Sequence, residues 1–432
     1  MITAVLKEII LDFQREILET GVKRHLDYEI VKDKVFICIG VRRCGKSTLL
    51  RQIVDDLLKK QNVRIDNIIY INFFDDRLND LRKGELQPIL DAYFSLYPYK
   101  KSSEEIYFFF DEIQEVKNWE LFVERLKRTE KCSIFLSGSS AKMLSKDIST
   151  QMRGRSLSWE LFPFSFLEFL DYNKCDYSVI DSKTRYLIVN YFDEYFKKGG
   201  FPEIFDKSDK IRVFIHQEYY KSILHRDIIE RYDVAHPQAV LQIGFRLMTS
   251  VSNLYTINRL TEYIKSFGYK VSKSFVSDCI QWFEDAFYMF SVKICSLSIN
   301  IQNTNPKKIY CIDHGLIRSV SLDIQEKEGF MLENIVFLHL RRRYSEIYYY
   351  KTKNGSEIDF IYKNETQQQV LIQVCYKIGT PETEKRETKA ILEAMDELNI
   401  TEAFIITYNE ENTIKMDERT INVIPAWRFL IS

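Results

Sequence analysis

The run Gly40-Val41-Arg42-Arg43-Cys44-Gly45-Lys46-Ser47-Thr48 satisfies G-x-x-x-x-G-K-[ST] at every position. Its glycines let the backbone turn successive N–H groups inward, making a nest for anionic oxygens. A helix opening at Lys46 aims free N–H donors and the positive end of its dipole at the same oxygens. Lys46 can then reach the β- and γ-phosphates of a nucleoside triphosphate, while the Ser47 hydroxyl is placed to ligate Mg²⁺. The candidate nucleotide-binding set is therefore Gly40, Arg42, Arg43, Cys44, Gly45, Lys46, Ser47 and Thr48, and the expected ligands are ATP and Mg²⁺. Only 14 glycines occur in the 432 residues, so a chance match is rare.

A second chemical feature is Asp111-Glu112, which ends the apolar run Ile106–Phe110. Adjacent carboxylates at the end of a central strand lie where open α/β sheets bind ligands. Asp111 suits the Mg²⁺ hydration shell, and Glu112 can orient or deprotonate an attacking water. The next apolar run, Ile134–Leu136, leads into Ser137-Gly138-Ser139-Ser140. Ser139 could sense a γ-phosphate there, or belong to a plain serine-rich turn. Arg153 and Arg155 follow; either could stabilise transition-state charge, and either could be a solvated arginine.

The elements that must position these residues read as follows. Apolar positions from Val5 to Leu18 recur at helical spacing and predict a helix within residues 2–20. Short apolar strands are expected at Val35–Ile39, Ile68–Asn72, Ile106–Phe110 and Ser133–Leu136. Helical patterns between them indicate a parallel sheet covered on both faces. From about residue 160 the chain reads as mostly helical. Within that stretch, Thr256–Phe267, Ser272–Phe283 and the strand-like Ala286–Ile294 fit a helix–turn–helix with a wing, but a small helical bundle is the favoured reading, because helical pairs are common. Strands return at Lys308–Asp313, Glu346–Tyr350, Ile358–Tyr362, Val370–Tyr376 and Ala403–Thr407, interleaved with helices at Leu332–Arg343 and Thr383–Leu398. The fold class is α/β. The expected divisions are an N-terminal helix (1–30), a parallel-sheet core (31–160), a helical middle region (161–304) and a second α/β domain (305–432).

Composition bounds the rest. With 61 basic and 62 acidic residues the net charge is −1, which argues against a chain coated in nucleic-acid-binding charge but leaves room for a local basic patch. Cysteines lie far apart without a Cys-x-x-Cys pair, so neither a zinc site nor a disulfide framework is expected. The N-terminus carries charges throughout, no apolar run approaches the ~20 residues of a membrane span, and the chain reads as cytoplasmic with no membrane partner. His225, His236, His314 and His339 show no metal-ligand spacing.

Together these segments resemble the prokaryotic AAA-type ATPase family. The resemblance runs through GVRRCGKST, IYINFFDDRL, FFFDEIQEV, LSGSSAKML and RGRSLSWELFPFSFLEFL. It continues in KKGGFPE (Lys197–Glu203), the Arg226–Arg231 segment, KKIYCIDHGL (Lys307–Leu316), GFMLENIVFLHLRRR (Gly329–Arg343) and GSEIDF (Gly355–Phe360). It implies an AAA-like ATPase core, a winged-helix-like middle part and a C-terminal domain similar to the restriction-endonuclease-like fold. That fold's acidic helix and strand positions are matched by Glu333 and Asp359. Its Glu-x-Lys strand is not: Gln373 and Cys375 stand there, with Lys377 two residues on as a substitute. Basic residues nearby (Arg341, Arg342, Arg343, Lys351, Lys353) could contact phosphates or form a solvated face. The leading expectation is an ATP-driven switch acting on DNA, RNA or a protein partner, with self-association open. The alternatives are an ATP-gated, Mg²⁺-dependent nuclease and an interaction protein that binds ATP without turnover.

Overall fold

A computed structural model describes residues 2–140, 143, 152, 154–321, 328–379 and 381–432. Arg153 lies outside them. The chain divides into two compact units, Met1–Phe162 and Pro163–Ser432.

The first unit contains α1 (Ile2–Arg15), β1 (Val35–Ile39), α2 (Lys46–Lys60), β2 (Ile68–Asn72), α3 (Gln87–Leu96), β3 (Ile106–Asp111), α4 (Trp119–Thr129), β4 (Cys132–Gly138) and β5 (Ser156–Glu160). Its five strands are all parallel, in the order β2-β3-β4-β1-β5. β1 is buried at every position, as expected of a central parallel strand with both faces covered. One row of rings crosses the whole sheet: Tyr70, Phe109, Phe135, Phe36 and Trp159, each from a different strand, with neighbouring centroids 4.5–6.1 Å apart. Phe13 of α1 stacks on Tyr70 at 4.7 Å. Such cross-strand aromatic pairs fix register as well as burying area. α1 buries Leu6, Ile10 and Phe13. Ile17 beyond it is 88% exposed, so the apolar spacing that predicted a helix to residue 20 has nothing to pack against and the helix ends at Arg15. The strand β5 was not evident in the sequence.

The second unit begins with α5 (Phe166–Tyr172), α6 (Ser182–Lys198), α7 (Asp209–Ser222), a π-helical stretch (Ile223–Glu230) and α8 (Pro237–Met248). There follow β6 (Leu254–Tyr255), α9 (Ile257–Ser266), α10 (Lys273–Asp285), β7 (Met289–Ile294), α11 (Ile299–Thr304), β8 (Lys307–Cys311), α12 (His314–Val320) and α13 (Glu328–Arg341). Thr256 and Ser272 cap α9 and α10 by accepting from the N–H groups of Arg259 and Phe275. The remainder is β9 (Ile347–Lys351), β10 (Glu357–Lys363), β11 (Gln369–Val374), α14 (Pro381–Leu398), β12 (Glu402–Thr407), β13 (Asn412–Met416), β14 (Arg419–Pro425) and α15 (Ala426–Ile431).

One mixed sheet of nine strands, ordered β13-β14-β12-β11-β10-β9-β7-β8-β6, therefore runs across residues 304 and 305. Its β7–β9 joint is short, pairing Lys293 with Tyr348 and Ile294 with Tyr349. β9 and β10 pair with an irregularity between Ile358 and Ile361. A bulge of this kind re-aims side chains, and here it carries Asp359.

Candidate functional site

β1 delivers the chain into the glycine loop, and α2 leaves it. A Cβ at Gly40 would lie 2.1 Å from the Leu161 carbonyl oxygen, so no other residue fits that approach. Gly45 has φ +100° and precedes α2 without any side-chain cap. The first-turn N–H donors of α2 therefore remain available to an anion. Lys46 is buried and donates to the carbonyls of Gly40 and Val41, both at 3.1 Å. Its Nζ lies 3.8 Å from Glu112 Oε1. Burial alone would weaken its hold on the proton, but Glu112 and the other acidic groups around it more than offset this and raise its pKa. Burial holds the Cys44 and Cys38 thiols above their usual range, so neither serves as a nucleophile. Arg42 lies over the Phe74 ring at 5.2 Å. Arg43 holds φ +65°.

Arg24, which no motif marks, braces this loop from behind. It is 4% exposed, and its guanidinium donates to the carbonyls of Cys44 (2.5 Å) and Phe162 (2.7 Å). Its own N–H reaches Gln52 of α2, whose amide donates to the Thr20 and Val22 carbonyls. Beside it lies a cavity of about 560 Å³ bordered by Thr20, Tyr28, Leu49, Ile53 and Asp56. Thr48 faces Gly21 across this edge.

Asp111, fully buried, ends β3. Its Oδ2 accepts from the Tyr70 hydroxyl (2.9 Å) and the Asn72 amide (3.3 Å), and its Oδ1 accepts from the Ser137 hydroxyl. Ser137 in turn accepts from the Glu112 N–H at 3.0 Å. Oδ1 thus keeps one lone pair for a water of a hydrated cation. Glu112 follows with φ +55°, a left-handed conformation that swings its side chain towards Lys46. The Gln114 amide donates to Glu112 Oε2 at 2.6 Å and to Ser139 Oγ at 3.4 Å. Lys46, Asp111, Glu112 and Ser139 thus converge on one edge of the sheet, because β4 lies between β1 and β3. Arg155 instead pairs with Glu124 of α4 at 3.4 Å, its side chain 43% exposed.

In the second unit, Glu333 on α13, Asp359 on β10 and Gln373 on β11 also come together, but around an unanticipated residue. Lys308 of β8 donates to Asp359 Oδ1 (2.6 Å) and Glu333 Oε1 (3.1 Å). Burial, then the nearby Asp359, pushes the Glu333 carboxyl up to about 8. Lys377 does not take part. β11 stops at Val374, so strand alternation no longer governs Lys377, which is exposed and accepts from Cys375 Sγ through its carbonyl.

A family model described as an AAA domain matches residues 32–170, a span holding the glycine loop, Asp111, Glu112 and Ser139. Two domains of unknown function match residues 189–328 (DUF8612) and 328–429 (DUF4143). An uncharacterized protein of Methanocaldococcus jannaschii is 34% identical over 443 residues, covering 99% of this chain and 95% of its own length. The chain belongs to the AAA-type ATPase family. An uncharacterized protein of Haemophilus influenzae, 30% identical over 361 residues, covers 82% of this AAA-type chain and 86% of its own. Among solved structures, the Aeropyrum pernix ORC1 protein in complex with DNA aligns over 74% of this chain and 91% of that one, at 12% identity and a TM-score of 0.30. That likeness is too distant to carry an argument. Membership supports ATP as the ligand of the glycine loop. Among the described residues no helix is long and apolar enough to cross a membrane.

Proposed function

We propose that this protein hydrolyses ATP with Mg²⁺ in the first unit and uses the cycle to switch the engagement of its second unit with a nucleic-acid or protein partner. The observation that carries the reading is the 3.8 Å approach of Lys46 Nζ to Glu112 Oε1 at the sheet edge where Asp111 also ends its strand. An ammonium held by two loop carbonyls and facing a carboxylate is in an exchangeable position. A triphosphate entering the nest offers Lys46 stronger, charged acceptors, and Lys46 then leaves Glu112 free to polarise water.

Ser47 and Asp111 would hold Mg²⁺, which supplies neutralisation of phosphate charge when bound. The residues suit this, since Asp111 is already oriented by three protein donors and these leave acceptor capacity on Oδ1. The cavity beside Arg24 gives the base and ribose apolar walls in Leu49 and Ile53. Gln114, bonded to both Glu112 and Ser139, links the water-activating carboxylate to a γ-phosphate sensor. The pairing of Arg155 with Glu124 does not favour it as the transition-state arginine in an isolated chain.

For the second unit, the order helix–strand–helix–helix–strand–helix–strand from α8 to β8, with β8 pairing both β6 and β7 antiparallel, supports a winged-helix-like element whose wing, residues 295–306, contains the short α11. Such an element suits a nucleic-acid or protein partner.

Phosphate release separates turnover from simple binding. Glu112→Gln should bind ATP within about twofold of the parent while releasing phosphate at least ~100-fold more slowly, the usual scale of a lost general base. Undiminished release would remove Glu112 from the mechanism.

A further inference from the structure

The restriction-endonuclease-like pattern calls for carboxylates that converge on Mg²⁺, with a lysine beside them. We propose that Glu333, Glu357 and Asp359 instead hold the ammonium of Lys308 as a permanent, protein-borne cation, so that this cluster takes no divalent metal and cleaves no phosphodiester.

The contacts of the ammonium make the case. Lys308 Nζ donates hydrogen bonds to Asp359 Oδ1 at 2.6 Å and Glu333 Oε1 at 3.1 Å, and lies in ion-pair contact with Glu357 Oε1 at 2.9 Å. The Lys308 side chain is only 2% exposed, so it is not a mobile surface lysine resting on the acids. Two of these carboxylates are also engaged by other protein donors. Glu333 Oε1 receives the Tyr310 hydroxyl at 2.7 Å, and Asp359 Oδ2 receives the Val374 N–H at 2.8 Å. Gln373, the neutral oxygen donor of the pattern, spends its carbonyl on the Asp359 N–H and turns its amide to Glu387. Mg²⁺ demands near-octahedral oxygens at about 2.0–2.1 Å and keeps several waters. Among the described residues no group of three or more His, Cys, Asp or Glu is arranged to hold a metal.

The arrangement has a structural use. Lys308 comes from β8, on one side of the short β7–β9 joint, while Asp359 and Glu357 come from β10 on the other. Breaking one partner of a buried pair is costly, so the cluster pins the three-strand and six-strand parts of the sheet together.

The test is Mn²⁺ binding, followed by the ion's magnetic resonance, on the full nucleotide-free chain. Wild type and Asp359→Asn should bind Mn²⁺ alike, showing no site at the cluster. Lys308→Ala should gain a Mn²⁺ site that the double variant Lys308→Ala/Asp359→Asn lacks. Two outcomes overturn the proposal: a wild-type site lost in Asp359→Asn, or a folded Lys308→Ala that gains none. If Lys308→Ala does not fold, the comparison of wild type with Asp359→Asn decides, supported by Mn²⁺-dependent plasmid cleavage assays in which both should leave DNA intact. No arm involves ATP, so the outcome is independent of the ATPase reading.

Discussion

Arg24 illustrates what a motif omits. The glycine loop was readable because its chemistry is contiguous: nest, lysine and hydroxyl follow one another along the chain. The guanidinium that supports the loop arrives from Arg24, with no local spacing to announce it, and donates to the carbonyls of Cys44 and Phe162. Leaving two buried carbonyls unpaired costs about 1–3 kcal/mol each. Arg24→Ala should therefore lower the unfolding free energy by about 2–6 kcal/mol and weaken ATP binding roughly tenfold, as read by denaturation and ATP titration. Lost stability with unchanged ATP affinity would make Arg24 a structural brace alone. The same limit hid Tyr70 and Ser137, which reach Asp111 from neighbouring strands. It also hid Lys308, because the fold pattern directed attention to the strand after Asp359, whereas the lysine stands before α13 in the chain.

Elements with strong local signals were the most legible. The expected strands at 35–39, 68–72, 106–110 and 133–136 coincide with β1 to β4 within two residues, since continuous β-branched and aromatic runs have few other uses. The strands β13 and β14 were missed; β13 is largely exposed and lacks a two-residue alternation. Helices also bury groups whose consequences only the packing shows. His216 on α7, His314 on α12 and His339 on α13 are buried, and burial lowers their pKa to about 3, 4 and 3. Arg212 beside His216 adds to its shift. The unfolded chain takes up protons on these rings below about pH 6.5, while the folded chain refuses them until about pH 3–4, so they cost stability as pH falls through that window. Asp313, raised to about 6 by burial, acts in the opposite sense, holding a proton in the fold that the unfolded chain has lost. His216→Gln removes one ring from this balance. Its unfolding free energy should fall less steeply than that of wild type between pH 6.5 and 5, by up to about 1.4 kcal/mol per pH unit. Parallel slopes in denaturation at the two pH values would show that His216 is already protonated in the fold.

At the scale of the molecule, the α/β class and the parallel sheet were legible, since they follow from strand and helix patterns summed over long windows. Strand order was not. That β4 lies between β1 and β3, or that one sheet continues through residues 289–311 into β9, depends on pairings between distant segments that periodicity does not encode. This order is what brings Lys46, in the segment after β1, to Glu112, in the segment after β3. The central claim, that ATP is held by the loop from Gly40 to Thr48 with Lys46 on its phosphates, is tested most directly by equilibrium binding of labelled ATP with Mg²⁺ to the full chain and to Lys46→Ala. The account predicts saturable binding to the parent, weakened by a factor of about ten or more in the variant through the lost charge-assisted contacts. Equal affinity in the two proteins would contradict it.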